Sequence, residues 1–232
     1  MLPIKGIQKT TLVDFEPYVS STIFLGGCNW RCGFCHNRNI VLEPDKVDTI
    51  AEEDVLNVLK ERKGFIDGVC ITGGEPTLYK ELPELIKKIK IMGLKVKLDT
   101  NGTNPGMVSE LIDKKLIDYV ALDIKSAKEG YEKAAGAEVD MAKIEGSIKI
   151  IRESGIDYEF RTTVFPGLDN KSMKDIGEWL KGGRRFVLQQ FENDVQMIDE
   201  SFKNKKPLPP EKLREFSRIL KPYFEEVKIK GI

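Results

Sequence analysis

The amino-acid sequence predicts an α/β fold built on parallel strands, and two observations carry that reading. Short apolar runs rich in β-branched residues alternate with amphipathic helical stretches, and the residues with chemistry to offer follow the apolar runs instead of preceding them. Repeated strand-to-helix alternation calls for right-handed crossovers, so the sheet is either doubly wound or curled into a complete or partial barrel. In both arrangements ligands collect at the carboxyl ends of the strands.

In chain order, VSSTIFLGG (19–27) reads as the first main strand, followed by a helix from about Ile50 to Lys63. DGVCITGG (67–74) is the second, with a helix from Lys80 to Met92 behind it. GLKVKLDT (93–100), IDYVALDI (117–124), IDYEFRTTV (156–164) and RRFVLQQF (184–191) continue the series, with helical segments near 105–115, 140–154 and 172–181. Thr49 and Glu52 form a capping box for the first helix, and Gly64, Gly93 and Gly155 close helices. The polar stretch KNKKPLPPEK (203–212) predicts a mobile surface loop before a last helix and a closing EEVKIK strand.

With 41% hydrophobic residues, a chain of 232 fills one core, which predicts a single domain with its core at about 18–192 and a closing helix and strand at 209–230. Lys and Arg (37) balance Asp and Glu (37), so no basic field exists to hold a nucleic-acid backbone. Neither a signal peptide nor an apolar run long enough to span a membrane is present, and the expected location is the cytoplasm. Three of the four cysteines fall within eight positions, too close for a disulfide framework and suited to metal ligation in a reducing compartment.

Those three, Cys28, Cys32 and Cys35, lie in GGCNWRCGFCHN with the spacing C-x3-C-x2-C. Iron–sulfur clusters usually take four cysteines, so three in one short loop suggest a cluster with one iron left open to an external ligand. A Cys3His zinc site through His36, the single histidine, is the competing reading. Sequence neighbours such as Cys35 and His36 are poorly placed to share one tetrahedral ion, which favours the cluster. At the next strand end, Gly73 and Gly74 allow close backbone approach and Glu75 suits a positively charged amine. Asp99, Thr100, Asn101 and Asp123 supply oxygens at two neighbouring strand ends, Lys125 adds a cation, and Arg161 and the pair Gln189 and Gln190 follow the next two strands. Cys70, inside an apolar strand, reads as a small buried hydrophobe.

The cysteine loop, with Phe34 just before its last cysteine, resembles the signature of the radical SAM superfamily, and GGEP resembles that superfamily's GGE segment. The resemblance implies a partial (β/α)6 TIM-like barrel of parallel strands and an oxygen-sensitive oxidoreductase. One 4Fe–4S cluster on the three cysteines would cleave S-adenosylmethionine reductively to a 5'-deoxyadenosyl radical. The opening segment and the DTNG and DIK motifs are similar to those of glycyl-radical enzyme activating enzymes. That likeness implies a monovalent cation on Asp99, Thr100 and Asp123 with the Ala121 carbonyl as a further ligand, and Lys125 and Arg161 near S-adenosylmethionine. The resemblance further implies Phe34, His36, Gly73, Gly74, Glu75, Asn101 and one of Gln189 and Gln190 as cofactor-binding residues. It also implies a glycyl-radical enzyme as partner and a flavodoxin or ferredoxin as reductant. The sequence departs from that pattern at Asp14-Phe15-Glu16-Pro17, which lacks the glycine of a DYPG-like segment, and at the last strand end, which lacks a histidine. The competing functions are a small-molecule enzyme of the 7-carboxy-7-deazaguanine synthase type and a non-enzymatic zinc or electron-carrier module.

Overall fold

The computed structural model describes residues 2–232. Along the chain run β1 (Ile4–Thr11), β2 (Ser20–Leu25), α1 (Arg38–Leu42), α2 (Glu52–Glu61), β3 (Gly68–Gly73), α3 (Leu82–Ile91), β4 (Lys95–Thr100), α4 (Pro105–Asp113) and β5 (Tyr119–Asp123). They are followed by α5 (Tyr131–Ala135), α6 (Met141–Glu153), β6 (Asp157–Val164), α7 (Asn170–Trp179), β7 (Gly183–Gln190), α8 (Pro210–Leu220) and β8 (Phe224–Lys230). The strands are ordered in the sheet as in the sequence, β1 to β8. β1 runs antiparallel to β2, and the β2–β3, β3–β4, β6–β7 and β7–β8 pairs are parallel. The expected α/β class with a mostly parallel sheet therefore holds.

Two compact units divide the chain. The first takes the residues up to Asn29, then 39–121 and 142–157. Its register runs Ser20↔Gly68 to Leu25↔Gly73 and Gly68↔Lys95 to Ile71↔Leu98. Val69 and Ile71 are fully buried and Cys70 is 1% exposed, so both faces of β3 are covered. A strand covered on both faces reads as a continuous apolar run, and Cys70 packs as the expected small hydrophobe. On α3, Leu82, Leu85, Ile86 and Ile89 are all fully buried, the i, i+3, i+4, i+7 stripe that turns one helix face inward.

The second unit takes 30–38, 122–141 and 158–232. Phe160 pairs with Phe186 and Arg185 with Glu226 across its parallel strands. Ile176 of α7 and Leu213, Phe216 and Leu220 of α8 are buried, and the rings of Phe186 and Phe224 lie 4.9 Å apart.

Three local expectations change. Strand β1 was not anticipated, because IKGIQKTT carries four polar side chains between its isoleucines and its end, a pattern that only an edge position tolerates. Thr49 does not cap α2: the helix starts after Ala51, which makes no side-chain cap, and the Thr49 hydroxyl instead accepts from Lys5 Nζ at 2.7 Å. Three acidic residues in the first turn, Glu52, Glu53 and Asp54, stabilise that end through the helix dipole. The polar stretch before α8 is tied down, since Asn193 Nδ2 donates to the carbonyls of Lys203 and Lys205 and Gln190 Nε2 to that of Leu208.

Candidate functional site

Cys28 sits three residues beyond the end of β2, and backbone contacts set its approach. Gly26 N donates to Pro3 O at 2.8 Å and Gly27 N to Ile40 O at 2.6 Å. From the end of β3, Gly74 N donates to Leu25 O at 2.8 Å and Glu75 N to Gly27 O at 2.9 Å. A Cβ on Gly74 would lie 1.7 Å from Gly27 O. Gly73 has φ +118, and a Cβ there would lie 2.3 Å from Leu25 O. Both glycines are thus demanded by contact between two backbones. Tyr79, which the sequence reading passed over, donates its hydroxyl to Gly26 O at 2.5 Å, and burial together with the nearby Cys28 pushes its phenol up.

Glu75 is 1% exposed and collects four donors: Thr77 N at 2.9 Å, the Thr77 hydroxyl, Thr100 Oγ1 at 2.8 Å and Asn101 N at 2.6 Å. Burial pushes its carboxyl up, and these donors oppose that shift. Three of these donors fall on Oε1 and one on Oε2, so Glu75 ties the end of β3 to the end of β4 and keeps acceptor capacity on Oε2. Glu75 thus has a positioning part of its own at these strand ends. Asn101 continues the network, with Nδ2 at 2.9 Å from Asn29 Oδ1 and 4.0 Å from Cys28 Sγ. Thr100 Oγ1 also accepts from Gly102 N at 3.1 Å, and Asp99 Oδ1 lies 3.2 Å from Lys97 Nζ.

In the second unit the rest of the cysteine loop is held from several sides. Arg31 N donates to Ala135 O at 2.9 Å, Asp199 N to Gly33 O at 3.0 Å and Cys35 N to Cys32 O at 3.0 Å. Trp30 packs edge-on against Tyr131 at 5.8 Å, and Tyr131 against Trp179 at 6.1 Å. Phe34 stacks on Phe165 at 4.5 Å and 11°, and His36 Nε2 lies 3.1 Å from Glu192 O. These two contacts help to anchor the loop. The loop cysteines form no disulfide; burial pushes Cys32 up to about 11 and raises Cys35, and Lys125 works against both shifts.

Asp123 ends β5, with Lys125 Nζ 2.9 Å from Oδ2 and Arg161 Nε 2.8 Å from Oδ1. Burial opposes ionisation of the carboxyl, but the two cations outweigh it and hold Asp123 well below the usual carboxylate range. For Lys125, burial is likewise outweighed by Asp123, which keeps the ammonium charged. Tyr131 donates its hydroxyl to Asp123 O at 3.2 Å. The register settles which glutamine shares the face of Arg161. Arg161 pairs with Val187 and Thr163 with Gln189, so alternation puts Gln189 on the Arg161 face and Gln190 on the other, where it bonds to Leu208 O.

A family model described as the radical SAM superfamily matches residues 22–180. The chain belongs to this superfamily. Membership implies a 4Fe–4S cluster and S-adenosylmethionine as cofactors of a radical-forming enzyme. The chain is 38% identical, over 99% of its length and 96% of the relative's, to a protein of Methanocaldococcus jannaschii named as a candidate glycyl-radical enzyme activating enzyme. It is 30% identical to the pyruvate formate-lyase-activating enzyme of Clostridium pasteurianum over 71% of this chain and 69% of that one. The structure of Streptococcus suis SuiB bound to S-adenosylmethionine superposes with a TM-score of 0.67 at 17% identity, covering 88% of this chain and 48% of SuiB. That likeness is one of fold, and this radical SAM chain spans about half of SuiB's length.

The donor set fits the implied cluster: three thiols within one loop, none consumed in a disulfide, with cationic Lys125 favouring thiolate at Cys32. Tyr79, Thr77, Asn29, Tyr131 and Phe165 are the residues that sequence reasoning missed. They act through the folded backbone or through packing, and no spacing rule singles them out. Among the described residues no helix is long and apolar enough to cross a membrane.

Two outcomes follow from this geometry. Gly74→Ala destabilises by about 3 kcal/mol in urea unfolding, because the added methyl meets backbone that cannot move aside. Asp123→Asn leaves Lys125 and Arg161 without their shared carboxylate and costs about 2 kcal/mol at neutral pH. An acid whose folded pKa is depressed contributes stability above its unfolded value, 3.8, and loses it as pH falls further. The gap between wild type and Asp123→Asn, measured by urea unfolding at a series of pH values, is therefore constant near neutrality and narrows below about pH 4.

Proposed function

We propose that this protein is a radical SAM activase that removes a hydrogen atom from a glycine of a partner glycyl-radical enzyme. The observation that carries this reading is the 38% identity to the Methanocaldococcus jannaschii protein, which extends over nearly the whole of both chains. Cys28, Cys32 and Cys35 would hold the cluster, and three protein ligands would leave it open to S-adenosylmethionine. When bound, such a cluster supplies the electron that cleaves S-adenosylmethionine reductively.

The chain's own residues then have distinct tasks. Gly73 and Gly74 let β3 close on the start of the cysteine loop, and Glu75 holds Thr100 and Asn101 in place beside Cys28. Lys125 and Arg161, kept charged and oriented by Asp123, offer cations to the methionine carboxylate. Gln189, on the Arg161 face of the sheet, is the glutamine assigned to a polar contact with the adenosine. The partner's glycine approaches on an extended loop, and a flavodoxin or ferredoxin delivers the electron.

Anaerobic incubation with dithionite and S-adenosylmethionine is expected to release methionine and 5'-deoxyadenosine. Addition of the cognate glycyl-radical enzyme should give a glycyl radical by electron paramagnetic resonance. Cys32→Ala abolishes both signals while circular dichroism stays unchanged; retained cleavage in that variant, or a colourless protein carrying one zinc, contradicts the reading.

A further inference from the structure

We propose that the ammonium of Lys97 is a built-in counter-cation for Asp99, so that this protein cleaves S-adenosylmethionine without a bound monovalent cation. The inference rests on the function proposed above and departs from the cation site that the DTNG and DIK motifs imply.

Lys97 and Asp99 are two residues apart on β4, which puts both side chains on one face of the strand. Lys97 is 3% exposed, and a lysine so deeply placed persists only where its charge is compensated. Its Nζ donates to Asp14 O at 2.6 Å, lies 3.2 Å from Asp99 Oδ1 and stands 5.7 Å from the centre of the Tyr119 ring. The carbonyl it uses belongs to the DFEP segment, where the sequence departs from the glycine-bearing pattern. That segment is fastened by Thr22 Oγ1, which donates to Asp14 Oδ2 at 2.6 Å, and by Phe15, which is 2% exposed. An ammonium is thus held within ion-pair reach of Asp99, itself 9% exposed.

A metal cation taking Asp99 as ligand would sit beside this ammonium in a poorly solvated place, where like charges repel strongly. The other side chains of the implied cation set have protein partners as well. Thr100 Oγ1 is bonded to Glu75 and Gly102 N, and Asp123 is paired with Lys125 and Arg161. At each carboxylate the protein has supplied the positive charge from its own chain.

The test compares KCl, NaCl and tetramethylammonium chloride at equal ionic strength, on the full chain with and without its cluster. Wild type is expected to melt at the same temperature in all three salts, and its rate of 5'-deoxyadenosine release to change by less than about twofold. Lys97→Met exposes Asp99 to an outside cation: the cluster-free variant should melt about 5 °C higher in KCl or NaCl than in tetramethylammonium chloride. Its cleavage rate should acquire the same preference. Lys97→Arg keeps the wild-type indifference, and Lys97→Met/Asp99→Asn, lacking both charges, shows no preference. A simple loss of packing would lower stability equally in every salt.

The proposal is overturned if wild type needs potassium or sodium for cleavage or is stabilised by either, or if Lys97→Met shows no salt preference. Should Lys97→Met fail to fold in every salt, the wild-type comparison decides alone. Because the melting of cluster-free protein involves no S-adenosylmethionine, failure of this inference is distinguishable from failure of the functional reading.

Discussion

The contact between two backbones at Gly27 and Gly74 is the constraint on which the first half of the site depends. A carbonyl at Gly27 accepts from Glu75 N, and the neighbouring Gly74 leaves no space between the chains for even a methyl group. Cys28, the next residue in the loop, inherits its position from that contact. The same turn delivers Glu75 to a place where its carboxylate is buried among four donors, from which Thr100 and Asn101 take their orientation. A glycine pair and one carboxylate thus convert sheet register into the placement of a thiol.

Charge is managed locally throughout. Asp123 is ionised because Lys125 and Arg161 flank it, and these cations are held in turn by the carboxylate they stabilise. Lys97 and Asp99 repeat the arrangement on β4 with less exposure. Buried ions of this kind add little net stability over apolar substitutes of the same shape. What they provide is fixed position, since each charged group is held by its partner. The aromatic packing around the second half of the cysteine loop, Trp30 on Tyr131 and Phe34 on Phe165, does for position what the ion pairs do for charge.

Membership of the radical SAM superfamily and likeness to activating enzymes over nearly the whole chain give these features a common purpose. Cysteines and S-adenosylmethionine supply the reactive chemistry in such enzymes, and the protein's part is geometric and electrostatic. Individuality therefore lies in residues such as Lys97 and the DFEP segment, which leave the signature intact while changing how charge beneath it is balanced.

The sequence by itself determined the α/β class, the strands β2 to β8 and the residues that end them, because period and turn chemistry are properties of short segments. It also marked the three cysteines, whose spacing is local. Tertiary structure alone decided what depends on residues distant in the chain. The edge strand β1 is stable only against β2, and Thr49 abandons its cap because Lys5 competes for the hydroxyl. Gln189 is distinguished from Gln190 only through the pairing of β7 with β6. That Glu75 ties two strand ends together was likewise invisible, because its four donors come from Thr77, Thr100 and Asn101, and hydrogen bonds between separate strand ends leave no mark in spacing or composition.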